Sequence, residues 1–323
     1  MYRVTVKQKV SAWQINVSKL VVYKKYNQDL SSNFLNHNRV ELSMKKILII
    51  VFFSFTLLPG CTSKFAYNNI DWLLYWYIDD YIDLDKDQKR VFDKKLDSWL
   101  TWHRRTELLE YKQHLQQIQE QLRAGAVSAE QWTTHFDVAG EHWYRVRGKI
   151  TTDLAALTER VSKRQINTLF DKLEEKNVKR EEEVAELSAA ERKTENIEDL
   201  QDRFKDWIGR LSVGQKNIIA AKVGELESNY VEWIVYRRNI QARARTLLLQ
   251  QAENVNFETE FLALINQPET YQSQFFIDRS ERNKLVYSNL LAQISEDLST
   301  KQMKKIDKEL QALIEDLDDL VNE

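Results

Sequence analysis

The chain has 323 residues with 47 basic and 49 acidic groups, a formal charge of −2, so it carries no basic footprint for nucleic acid. The first 60 residues take nine of the basic and two of the acidic groups, leaving an acidic remainder of 38 against 47. Beyond Cys61 only Pro268 and six glycines could break helices, and no alternating apolar run bounded by turn residues occurs. An all-α multi-helix bundle with long amphipathic helices and a charged helical extension is expected.

Residues 1–43 hold seven Lys or Arg against two acidic groups and show no helical or strand period. They are read as an upstream extension ahead of a true start at Met44, because a secretory n-region is only a few residues long. Residues 44–60 read as a lipoprotein signal peptide. Lys45 and Lys46 open it, and residues 47–58 form an apolar or hydroxyl run of twelve. A bilayer crossing needs about 20 residues, so cleavage is expected rather than a permanent span. Leu58-Pro59-Gly60-Cys61 places a small residue directly before the sole cysteine of the chain. Cys61 is therefore the expected lipid attachment point, and residues 61–323 the mature helical lipoprotein. With one cysteine no intramolecular disulfide can form, so stability outside the cytoplasm must come from packing. Thr62 follows where an inner-membrane retention signal would put Asp. In a Gram-negative source this directs the protein to the periplasmic face of the outer membrane.

Residues 67–84, YNNIDWLLYWYIDDYIDL, are the most distinctive stretch after the anchor. Trp72, Tyr75, Trp76 and Tyr77 would cover most of a helix capped by Asn69 or Asp71. Such a helix is expected at the centre of the bundle, the alternative being a membrane interface that suits Trp and Tyr. Asp79 and Asp83 share a face at i,i+4, but the run lacks the glycine of a calcium loop. Pairing with Lys89, Arg104 or Arg105 is the expectation for these carboxylates. The run after Cys61 resembles the opening of an uncharacterised family of proteobacterial lipoproteins, in which Tyr-Asn-x-x-Asp-Trp-x-x-x-Trp-Tyr-x-Asp-Asp-Tyr follows the lipidated cysteine. That resemblance implies a lipoprotein with a helical body and brings no activity with it.

One helix-start pattern recurs: an apolar residue, Asp or Ser, two free positions, then Gln. It stands at Leu84/Asp85/Gln88, Val127/Ser128/Gln131, Val161/Ser162/Gln165, Leu211/Ser212/Gln215 and Leu298/Ser299/Gln302. Each is a capping box, in which the cap oxygen accepts the N3 amide and the Gln side chain returns to the cap amide. Trp132, Ile166 and Met303 offer the apolar N4 partner of a hydrophobic staple. The boxes also resemble the Leu-Thr-x-x-Gln motif of Spy-type periplasmic chaperones, which implies a helical protein that cradles unfolding clients. No cap here is Thr, and capping alone accounts for the pattern. Helical stripes follow the boxes, among them Val91, Phe92, Leu96, Trp99 and Leu100, and Ile218, Ile219, Val223, Leu226, Tyr230, Trp233 and Ile234. Residues 173–197 are lean in apolar side chains and read either as one solvated helix or as a hairpin tip. Pro268 marks a loop before a helix over 271–297, and Ile306, Leu310, Ile314, Leu317 and Leu320 stripe the last helix.

His103, His114, His135 and His142 form no His-Glu-x-x-His or cysteine-containing zinc pattern, and partly exposed structural histidines are expected. No nucleophile elbow or phosphate-cradling glycine loop is present, so no catalytic residue, metal or cofactor is assigned. The expected function is non-catalytic: membrane attachment through Cys61, and binding of an envelope protein or unfolded client. Trp and Tyr side chains with Arg145, Arg147, Arg237 and Arg238 are its contact candidates. Two alternatives stand beside it: a structural envelope spacer that reaches through residues 173–197, and a carboxylate or metal-dependent hydrolase built on Asp79, Asp83 and His103.

Overall fold

The computed structural model describes residues 62–323. Residues 1–61, including the segment read as a signal peptide and Cys61, lie outside the described residues. The order is α1 Thr62–Asn68, α2 Ile70–Ile78, α3 Lys86–Trp102, α4 Leu108–Ala124, α5 Ala129–Thr158, α6 Lys163–Ala185 and α7 Ala189–Ile208. It continues with α8 Val213–Glu225, α9 Tyr230–Leu249, α10 Phe257–Asn266, a 3₁₀ turn Pro268–Tyr271, α11 Gln274–Glu296 and α12 Thr300–Asn322. No strand occurs among the described residues. The fold is an all-α multi-helix bundle.

All five boxes start helices, with both reciprocal bonds formed, at α3, α5, α6, α8 and α12. A sixth box escaped the pattern because its N3 residue is Glu: Ser188 with Glu191 opens α7. That box divides the charged stretch into two helices, with α6 ending at Ala185 and α7 starting at Ala189. Gly209, at φ +80°, ends α7 in the left-handed region that a Cβ would strain. The expected helix over 271–297 begins three residues late, because Pro268–Tyr271 winds as a 3₁₀ turn and Ser273 caps α11.

Helices α3 and α4 are one rod from Lys86 to Ala124, interrupted by a π-turn at His103–Glu107. The wide turn adds a residue to the register, so side chains beyond it leave the stripe that α3 set up. Asp153 fastens α5 to α3 by accepting from Lys95 Nζ (2.6 Å) and Trp99 Nε1 (2.7 Å), and the Lys95 cation holds its carboxyl below the usual carboxylate range.

The largest core joins α5, α6, α9 and α10 with the start of α11 through Ile166, Phe170, Trp233, Ile240, Phe261 and Leu264. A second joins α7, α8 and the end of α11 through Ile208, Ile219, Val223, Leu290 and Ile294. Along α4 and α12, Leu122 meets Leu310, and Leu108 and Tyr111 meet Leu320, with Tyr67 of α1 closing that end. Lys64 of α1 pairs with Asp319 of α12, and Asn68 Nδ2 donates to Glu323 (2.7 Å).

Two pairs of boxes dock on each other. Gln88 Nε2 donates to the Arg160 carbonyl (2.6 Å) while Gln165 Nε2 donates to the Asp83 carbonyl (2.6 Å), and the two amides bond mutually at 2.8 and 3.1 Å. The same arrangement joins Gln215 to the Asp297 carbonyl and Gln302 to the Arg210 carbonyl, both at 3.0 Å. In each case the acceptor lies two residues before the partner's cap. Each glutamine thus caps its own helix and ties down the chain entering another, which explains why Gln215 is fully buried.

Candidate functional site

The structure's most unusual chemistry is a line of imidazoles between α4 and α5. His114 Nδ1 lies 3.2 Å from His142 Nε2, and His114 Nε2 lies 3.0 Å from His135 Nδ1. His135 Nε2 lies 3.0 Å from Gln121 Oε1. At the other end Arg145 Nη2 stands 2.5 Å from His142 Nδ1, and Arg145 Nε donates to Glu107 Oε1 at 2.9 Å. Glu107 is wholly buried at the end of the π-turn.

These partners fix the direction of the line. A guanidinium only donates, so His142 Nδ1 must accept and its Nε2 carries the hydrogen. That hydrogen goes to His114 Nδ1, whose Nε2–H goes to His135 Nδ1, whose Nε2–H goes to the Gln121 carbonyl. All three rings are therefore neutral Nε2–H tautomers. Burial pushes His114 and His142 down to about 4, with His135 adding to the first and Arg145 and His114 to the second; burial also lowers His135. His103 stands apart, with its Nδ1 2.9 Å from the Tyr67 hydroxyl, and burial holds it at about 4. Tyr111 bridges the two regions edge-on, 5.4 Å from His103 and 4.7 Å from His142.

The expectation of partly exposed histidines is corrected for His135 and His142, which are buried. The heptad spacing of those two was legible in the sequence; His114, from another helix, was not. Every ring nitrogen of the line already has a partner, so none is left to take a substrate proton or coordinate a metal without breaking a link. Among the described residues no cluster of three or more His, Cys, Asp or Glu has the geometry to hold a metal ion.

The residues proposed for hydrolysis go to different neighbours. Asp79 pairs with Lys89 (3.6 Å), the Asp83 carbonyl accepts from Gln165, and His103 bonds Tyr67. Among the described residues no contact joins the three. Each of the four arginines named as contact candidates has a partner within the chain. Arg145 pairs with Glu107, Arg147 with Glu269 (2.9 Å), and Arg238 with Glu174 and Glu181 (2.7 and 2.6 Å). Arg237 lies over Trp233 and donates to Asn177 (2.6 Å).

The central position expected for the aromatic helix is overturned. Helix α2 has no buried residue, and Trp72, Trp76 and Tyr77 are 51%, 54% and 47% exposed. Tyr75 donates to Asp93 (2.6 Å) and meets Phe92 edge-on at 5.7 Å, and Tyr77 meets the Tyr81 ring at 5.2 Å. Asn69 occupies the cap position without a capping side-chain bond, and Asp71 lies in the first turn. The helix lies against α3 at the rim, where one face finds a partner and the other does not.

No curated protein and no solved structure matches this chain. Residues 80–276 match the model of DUF6279, described as a family of unknown function, and that match takes in the first docked box pair, the imidazole line and the largest core up to the start of α11. The chain belongs to the DUF6279 family.

Proposed function

We propose that this chain is a lipid-anchored, periplasm-facing helical protein that binds an envelope protein or an unfolded client and catalyses nothing. Cys61 holds it to the outer membrane by its acyl chains, since several chains together anchor stably where one does not. No helix of the described residues is long and apolar enough to cross a membrane. The imidazole line supports a binding role over a catalytic one, because each of its ring nitrogens is spent on a neighbouring group.

A row of exposed apolar side chains carries this reading. Val231 and Val235, 66% and 54% exposed, share a face of α9, and Phe275, 51% exposed, stands at the start of α11. The two helices are neighbours there: Tyr236 meets Phe276 at 5.8 Å with the rings tilted, and Arg279 reaches Glu232 at 3.3 Å and lies over the Phe275 ring at 4.1 Å. Apolar side chains framed by charged ones are the composition of a docking surface.

The test is a photo-reactive side chain at position 235 or 275 of the full chain in cells. One discrete crosslinked envelope protein, or a ladder of unfolded clients, is expected, and V235D/F275D should abolish the interaction. Crosslinks no different from those at exposed Lys301 would refute it. Palmitate label should vanish in Cys61→Ser; its persistence would refute the anchor.

A further inference from the structure

The face of α2 that the bundle leaves uncovered has a definite chemistry and a definite place. We propose that Trp72 and Trp76 seat in the headgroup region of the phospholipid bilayer, so that α2 is the surface on which the body rests. This deepens the anchor reading and rests on it.

Geometry on the page supports a lipid occupant. At 3.6 residues per turn Trp72 and Trp76 stand about 40° apart around the helix, forming one outward stripe, with Asp71 about 100° to the far side of Trp72. From Thr62 to Trp72 the chain is nearly all helix, a reach of about 15 Å at 1.5 Å per residue. Acyl chains on Cys61 therefore confine this stripe to the neighbourhood of the membrane surface. The exposed residues are Trp and Tyr, which combine an apolar ring with a polar edge and favour the boundary between headgroups and acyl chains.

The charges are ordered along the same helix. Both tryptophans lie between Asp71 in the first turn and the Asp79–Asp80 pair that follows the helix. Neither acid presents a bare charge to the headgroups, because Asp79 pairs with Lys89 (3.6 Å) and Asp80 with Lys176 (3.1 Å). An aromatic stripe with Asp71 set to its side and the two following carboxylates paired suits a helix that lies at an interface.

The experiment uses the acylated full chain reconstituted in zwitterionic phosphatidylcholine and phosphatidylethanolamine vesicles. Flotation with the vesicles reads the anchor; quenching of tryptophan emission by lipids brominated near the headgroup reads the face. Wild type should float and be quenched, and W72F/W76F should float as well but lose most of the quenching. W207F should keep it, because Trp207 packs with Leu298 and Ile306 at the opposite end of α12. Floating protein whose emission lipid bromine does not touch, or quenching that survives in W72F/W76F, overturns the proposal and leaves the anchor intact. Failure of wild type to float removes the anchor and this inference together. Crosslinks from positions 72 and 76 to a protein in cells, with none to lipid, would also overturn it.

Discussion

At the residue scale the decisive fact is that one guanidinium, held by the buried Glu107, polarises a row of neutral rings. Adding a proton anywhere along His142, His114 and His135 sets donor against donor at one link, and burial opposes the charge as well. The folded-state values of His114 and His142, about 4, lie below the ordinary value of 6.5. Between the two the unfolded chain binds more protons, so the stability these rings contribute is fully present above pH 6.5 and is lost as pH falls toward 4. Each such imidazole contributes a slope of at most about 1.4 kcal/mol per pH unit in that window. Urea midpoints at pH 7.5, 5.5 and 4.5 check this, and the replacement of His135 by Gln should flatten the upper part of the dependence. A flat profile down to pH 5 would contradict the burial argument. Glu107 makes a second prediction. Arg145→Ala strands a carboxylate that is wholly buried, which should cost about 3 kcal/mol or more of unfolding free energy. A loss under 1 kcal/mol would mean that Glu107 takes up a proton or another partner.

At the element scale, the docked boxes are testable by coupling. Gln215 and Gln302 bond each other and each other's entering chain. Gln215→Ala should therefore cost about 2 kcal/mol, its cap bond and its tertiary bonds together. Gln131 caps α5, and the bonds of its box stay within the box, so Gln131→Ala should cost about 1 kcal/mol or less. In a double-mutant cycle the Gln215/Gln302 pair should couple by roughly 0.5 kcal/mol or more, whereas Gln131/Gln302 should be additive. Equal behaviour of the two pairs would reduce all the boxes to local caps. The starts of these helices were readable because a cap acts within four residues. Their docking was not, because Gln88 and Gln165, or Gln215 and Gln302, meet only after the chain has turned back on itself.

At the scale of the whole molecule, the family match ends at residue 276, inside the first turn of α11. The bundle does not end there. Leu290 and Ile294 of α11 complete the second core, and Leu310 and Leu320 of α12 cover Leu122, Leu108 and Tyr111 of α4. A chain stopped after residue 276 should bare those surfaces, bind a hydrophobic dye and lose a cooperative thermal transition. A sharp transition in the truncated chain would show that the matched region is an independent unit.

By itself the sequence determined the class and the punctuation: scarce glycine and proline, three-and-four apolar spacing and five polar caps make helices wherever they occur, since those forces act between near neighbours. It also singled out residues 67–84, while misjudging where that helix would lie, because an aromatic side chain favours a core and a membrane boundary for the same reason. Tertiary structure decided which caps dock on which, that His114 completes a line begun by His135 and His142, and that Trp72 and Trp76 face outward. Each depends on helices meeting across tens of residues, and no periodicity records which neighbour a face will find.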